Sequence, residues 1–185
     1  MSRVIAGLTV SLDGFFEDAD GRFSVLYSDF EELMESAYMK ASQAETGAVL
    51  MGRRTYDMTP DPDLLADGYE FQVPLFVLTH RAPDRIPKSN DRLSVTFVTD
   101  GVEAAVAQAT AAAGDKAVQV VGGADLMRQL LAAGLADEVH MDVVPVLLGS
   151  GRRPFDGLDA DAVRLEKLGV EEAGGRTSLR YRVLR

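Results

Sequence analysis

Two glycine-bearing segments, Met51-Gly52-Arg53-Arg54-Thr55-Tyr56 and Val121-Gly122-Gly123-Ala124-Asp125, carry the strongest chemical signal in the chain. Each follows a short apolar run of the kind that makes a buried strand, and each leads into a helical pattern. A strand that stops at glycine and turns into a helix leaves free backbone N–H groups at the helix start. The helix dipole favours an anion there by about 0.3–1 kcal/mol. Arg53 and Arg54 add forked donors that match phosphate geometry better than lysine does. Two such corners in one chain suit a phosphorylated dinucleotide held across a sheet. Adjacent arginines at a helix start equally serve to solvate it, and this segment taken alone leaves both readings open.

Further polar groups fall at strand ends. Thr79-His80-Arg81 closes one apolar run and Thr99-Asp100-Gly101 the next. In open α/β sheets ligands bind beyond the carboxyl ends of the strands, so Arg81 would join the phosphate partners. The alternative for each tip is a polar exit into a loop. Gly122-Gly123 is not the GxGxxG dinucleotide fingerprint, which needs a third glycine and a downstream acid. The two histidines, His80 and His140, stand far apart without metal-ligand spacing, so no metal is expected. His140 reads as a half-exposed strand residue, on a polar face with Glu138 and Asp142 that could also meet a second subunit. No Gly-x-Ser-x-Gly elbow supports a hydrolase.

Composition narrows the classes. A chain of 185 residues with 46% hydrophobic and 26% charged residues reads as one globular domain, residues 1–185. The net charge of −10 argues against nucleic acid and requires any anion site to be built locally. Without cysteine there is no disulfide and no thiolate catalysis, which fits a cytoplasmic protein. No apolar run reaches membrane-spanning length.

The elements that must position these groups follow from periodicity. Apolar runs predict strands over 4–10, 48–51, 75–78, 95–98 and 117–121. Ser28 with Glu31, and Asp100 with Glu103, have capping-box spacing before helices. The first carries Phe30, Leu33, Met34, Ala37 and Ala41 on one face against the sheet. The second is alanine-rich and ends near Gly114. A third helix, with Leu126, Met127, Leu130 and Leu131, follows Gly122-Gly123 and closes at Gly134. Val139, Met141 and Val143 alternate with polar residues in a strand that should bend, or lie at an edge, at Pro145. Strands over 163–170 and 179–184 join through Gly174-Gly175. Helices alternating with strands, then strands alone, describe an α/β mixed sheet.

These pieces together resemble the dihydrofolate reductase-like superfamily, in its branch of riboflavin-biosynthesis (RibD) C-terminal reductase domains. The matching segments are Ser11-Leu12-Asp13-Gly14, the two glycine segments, and Val143-Val144-Pro145-Val146-Leu147-Leu148-Gly149-Ser150-Gly151, in the family's order. The resemblance implies a three-layer αβα fold with a central, mostly parallel mixed sheet ending in an antiparallel C-terminal hairpin. NADPH would lie across the strand ends. Gly52, Arg53, Arg54 and Thr55 would hold its adenosine and phosphate side, with Thr79 and Arg81 completing the 2′-phosphate pocket. Val121, Gly122, Gly123, Ala124 and Asp125 would bind the pyrophosphate through a cis Gly-Gly peptide. Ala6 and the loop from Asp13 to Phe16 would flank the nicotinamide. A homodimer is implied near the Pro145–Gly151 stretch.

Reduction also needs a proton at the substrate heteroatom. Asp13 and Asp29 are the candidates, against the alternatives of an Asp-Gly turn and a helix N-terminal decoration. The riboflavin-pathway reductases carry a basic residue after Ser-Leu-Asp-Gly, where this chain has Phe15 followed by Phe16. Phe15, Phe16 and Tyr56 would therefore face a flat, pteridine-like small-molecule substrate. The alternative is a nucleotide- or small-ligand-binding protein on the same fold without turnover.

Overall fold

The computed structural model describes residues 2–159, 161 and 163–184. Eight strands form one sheet: β1 (Val4–Ser11), β2 (Thr46–Gly52), β3 (Leu75–Leu78), β4 (Val95–Val98), β5 (Ala117–Val121), β6 (Glu138–Val144), β7 (Arg164–Ala173) and β8 (Arg176–Leu184). Their spatial order is β4-β3-β2-β5-β1-β6-β8-β7. The first six run parallel, β8 is antiparallel to β6, and β7 is antiparallel to β8. The α-helices are α1 (Phe30–Glu35), α2 (Ala37–Glu45), α3 (Arg53–Asp57), α4 (Leu65–Gly68), α5 (Val102–Ala113) and α6 (Ala124–Ala132).

Alternation along the strands divides the core into two layers. Val4, Leu50, Val118 and Val120 pack with Ala105 and Ala109 of α5 and Met127 and Leu130 of α6. On the other face Val49, Met51, Leu75 and Val77 meet Met39 of α2, Tyr56 of α3 and Leu65 of α4. The architecture is thus the expected αβα sandwich with an antiparallel C-terminal hairpin, and helices cover both faces of the parallel strands.

Local details depart from the sequence reading. Neither capping box forms: the helix caps are Asp29 and Gly101, and neither makes a side-chain cap hydrogen bond. The first predicted helix breaks at Ser36, whose backbone is extended and whose hydroxyl accepts from Met39 N at 3.0 Å, capping α2 instead. Serine competes with the helical backbone for such bonds, which is why it ends one helix and starts another. Phe30 is consequently exposed rather than packed on the sheet. Nor does Pro145 mark an edge. β6 lies inside the sheet and simply ends at Val144, because proline offers no N–H to continue the ladder.

The Gly122–Gly123 peptide is trans, which corrects the expected cis bond. Both glycines instead take positive φ, 67° and 83°, and the chain turns without isomerisation.

Candidate active site

A cavity of about 870 Å³ opens along the carboxyl ends of β2, β3 and β5 and runs beneath β1 and β6. Gly52, Arg53, Arg54, Thr55, Thr79, Arg81, Val121, Gly122, Gly123, Ala124 and Asp125 all line it. The two glycine corners touch: a Cβ on Gly122 would sit 2.8 Å from Thr55 Oγ1. Close contact between two chain reversals requires a residue without a side chain at that point.

The paired arginines have different partners. Arg53 donates to Asp57 at 2.7 Å and to the Arg81 carbonyl at 3.0 Å, both on the exposed rim. Arg54 donates to both oxygens of Glu17 at 3.1 Å. Glu17 is only 2% exposed, and it also accepts from Arg152 at 3.2 Å. Sequence reasoning missed Glu17 and Arg152. A lone acid in a loop carries no periodic signal, although Arg152-Arg153 behind a Gly-Ser-Gly run offered one.

These contacts tie the loop after β1 to the segment after β6. Phe16 N donates to Arg152 O, and Arg152 N to Glu17 O. Arg152 lies over the Phe16 ring at 5.6 Å and Arg153 over Phe15 at 4.2 Å. Asp13 anchors the loop start by accepting from Ser11 Oγ at 2.6 Å and from the amides of Leu148 and Gly149. The Ser11 hydroxyl and those amides pull its carboxyl down to about 2, so it stays ionised.

Several candidate residues lie away from the cavity wall. Asp13 is engaged as described, and Asp29 is paired with Arg176 through contacts of 2.7 and 2.5 Å. Arg176, 1% exposed, holds the Asp29 carboxyl below its ordinary range and also donates to the Leu26 carbonyl. Both carboxylates are engaged by protein donors, and neither lines the cavity. Ala6 points into the core beneath α5 and α6, whereas its neighbours Gly7 and Leu8 line the cavity. Phe15 is buried under Arg153, and Tyr56 is buried edge-to-face on Phe97 at 5.1 Å; only Phe16 of the predicted substrate residues lines the cavity.

Away from the corners, the cavity wall is aromatic with a polar floor. Phe23, Tyr27, Phe30 and Leu33 contribute apolar surface. Tyr38 donates to Asp142 at 2.8 Å and accepts from Ser178 at 3.1 Å. Burial and the adjacent Asp142 carboxylate push the Tyr38 phenol up, so it remains a donor. The polar face of β6 thus forms this floor, which corrects the half-exposed placement of His140. That residue is 8% exposed, with Nε2 2.8 Å from Glu138. Burial lowers its pKa and outweighs the pull of Glu138, leaving the ring neutral near pH 7.

The RibD C-terminal domain matches residues 2–179, and the chain belongs to that family. It is 27% identical over 179 residues to the uncharacterized protein YwjB of Bacillus subtilis, covering 97% of each. Its fold resembles a diaminohydroxyphosphoribosylaminopyrimidine deaminase/5-amino-6-(5-phosphoribosylamino)uracil reductase from Thermotoga maritima (TM-score 0.69, 17% identity). That match spans 99% of this chain and 57% of the other. It also resembles dihydrofolate reductase from Enterococcus faecalis complexed with NADP(H), with TM-score 0.59, 14% identity, and 99% and 97% coverage. Among the described residues no helix is long and apolar enough to cross a membrane.

Proposed function

We propose that this chain is an NADPH-dependent reductase of a pteridine-like or other flat heterocyclic small molecule. The observation that carries the reading is the contact between the Gly52 and Gly122–Gly123 corners within one cavity, whose far end is aromatic. Free N–H groups at the start of α6 and the Arg53, Arg54 and Arg81 guanidiniums suit the phosphates of a dinucleotide, with Thr79 beside them. Bound there, the cofactor would supply the hydride. The protein's part is to orient the two reactants and exclude water, a task for Phe16 and the aromatic wall that line the cavity. Because Asp13 and Asp29 are engaged elsewhere, Asp142 with Tyr38 is the acid pair on the cavity floor that could relay a proton. A homodimer through the Pro145–Gly151 stretch belongs to the same reading, and Leu147 there is exposed.

Reversing Arg53 and Arg54 to glutamate tests the cofactor assignment. NADPH affinity should fall far more than NADH affinity; equal losses would sink the 2′-phosphate role. A second reading, a nucleotide- or small-ligand-binding protein without turnover, is favoured by the removal of both expected proton donors from the cavity. Following nicotinamide absorbance with a panel of pterins separates the two: binding without oxidation across the panel supports the second.

A further inference from the structure

The middle of the sheet carries a polar side chain that the packing does not explain. Gln119 lies on β5 between Ile5 of β1 and Val49 of β2, both fully buried. Its chain neighbours Val118 and Val120 pack with α5 and α6. Gln119 therefore faces the opposite layer, where it lines the cavity. An interior position of a parallel sheet, between two aliphatic partners, ordinarily holds a third aliphatic residue.

The carboxamide does not stay at the level of its own backbone. An ideal Cβ on Gly7 would sit 2.3 Å from Gln119 Nε2, so the amide rests over bare glycine backbone. Gly7 is two residues beyond Ile5 toward the carboxyl ends of the strands. It pairs with Val121 on one side and with His140 on the other. The amide thus stands beside the residue that leads into the Gly122–Gly123 corner, where that corner meets the polar floor. Gln119 is half-buried, and its amide makes no hydrogen bond among the described residues. A ligand filling the cavity strips solvent from this amide and must give back an acceptor and a donor.

A dinucleotide with its phosphates at the Gly122–Gly123 corner brings one of its nucleoside ends over Gly7. The nicotinamide ring carries a carboxamide, with the same C=O and NH2 that a glutamine presents. Two such groups pair through two hydrogen bonds. We propose that Gln119 pairs with the nicotinamide carboxamide, Nε2 donating to its carbonyl and Oε1 accepting from its NH2, and so fixes the ring's orientation. The inference rests on the reductase reading of the cavity. It assigns to Gln119 the contact expected of Ala6, which the fold turns into the core.

Equilibrium dialysis tests this with NADPH and with 2′-phospho-ADP-ribose, the same cofactor without its nicotinamide ring. Gln119→Met, similar in length but without the amide, should weaken NADPH binding about fivefold or more. Gln119→Asn, which draws the amide back by one methylene, should do the same. Neither should shift the ring-free fragment by more than about twofold, and that binding shows that both variants fold. Reduced 3-acetylpyridine adenine dinucleotide phosphate has a methyl in place of the amide NH2. It should lose less affinity than NADPH on Gln119→Met. Unchanged NADPH affinity in both variants overturns the proposal. Equal loss of NADPH and fragment also overturns it, because that pattern marks a structural role. Failure of the unmodified protein to bind either ligand sinks the cofactor reading itself, and this inference with it.

Discussion

The two strand-to-helix corners look alike in sequence and work by different physics. Gly122 and Gly123 occupy the left-handed region, and Gly122 lies against Thr55, so the backbone there demands glycine. Gly52 has φ −80° and ψ 155°, a conformation open to any residue, and its nearest would-be contact is 3.8 Å away. The β5 corner therefore contributes shape, with α6 behind it. The β2 corner contributes charge, through Arg53 and Arg54 on the short α3. A glycine next to a helix is thus not evidence of backbone constraint until its φ and its neighbours are known.

The largest expected effect falls on the corner that supplies shape. Gly122→Val should cost at least about 1–2 kcal/mol from the left-handed backbone alone. That is roughly 2–8 °C in melting temperature, and NADPH binding should go with it. Adding Thr55→Ala should recover the collision and not the backbone strain; full recovery would break the contrast. At the charged corner, Arg54→Met should cost about 1 kcal/mol in urea denaturation, because buried Glu17 keeps only Arg152. Arg53→Met, which frees only the rim groups Asp57 and the Arg81 carbonyl, should stay within about 0.5 kcal/mol.

Acid should loosen the loop that Arg54 holds. The Asp13 carboxyl is depressed in the folded state, so its ties are complete above the ordinary carboxylate range near pH ~4. They are lost as pH falls through about 2. The Leu148 and Gly149 amide resonances should report this; titration near 4 would mean the ties are absent in solution. The smallest effect belongs to Gly52→Ala, which should change stability by less than about 1 kcal/mol in either direction. A matching loss to that of Gly122→Val would erase the distinction between the corners.

Much of this arrangement was legible from residue order. Short apolar runs bounded by glycine or polar tips located the parallel strands, and the amphipathic stripe located α6. The arginines and glycines of the two corners did converge on one cavity. What escaped depended on tertiary context. Ser36 has the look of a helix interior residue until its hydroxyl captures the Met39 amide. The polar face of β6 was seen, but periodicity cannot tell a face turned to solvent from one lining an internal cavity. Nothing in the sequence around Arg176 signals burial, and only the fold reveals it buried against Asp29. Asp13 and Asp29 have the chemistry of a proton donor, and in each case neighbouring donors occupy the carboxylate.

The strand order has a kinetic consequence. β1 is near the chain's start yet lies between β5 and β6, so its ladders wait for residues 117–144. On the ribosome β2, β3 and β4 can pair as they emerge, while β1 stays open-edged until residues 138–144 have been made. Contacts so distant in sequence slow folding, and an unpaired apolar strand is prone to aggregate meanwhile. A chaperone holding β1 would act at the step where this topology is most vulnerable.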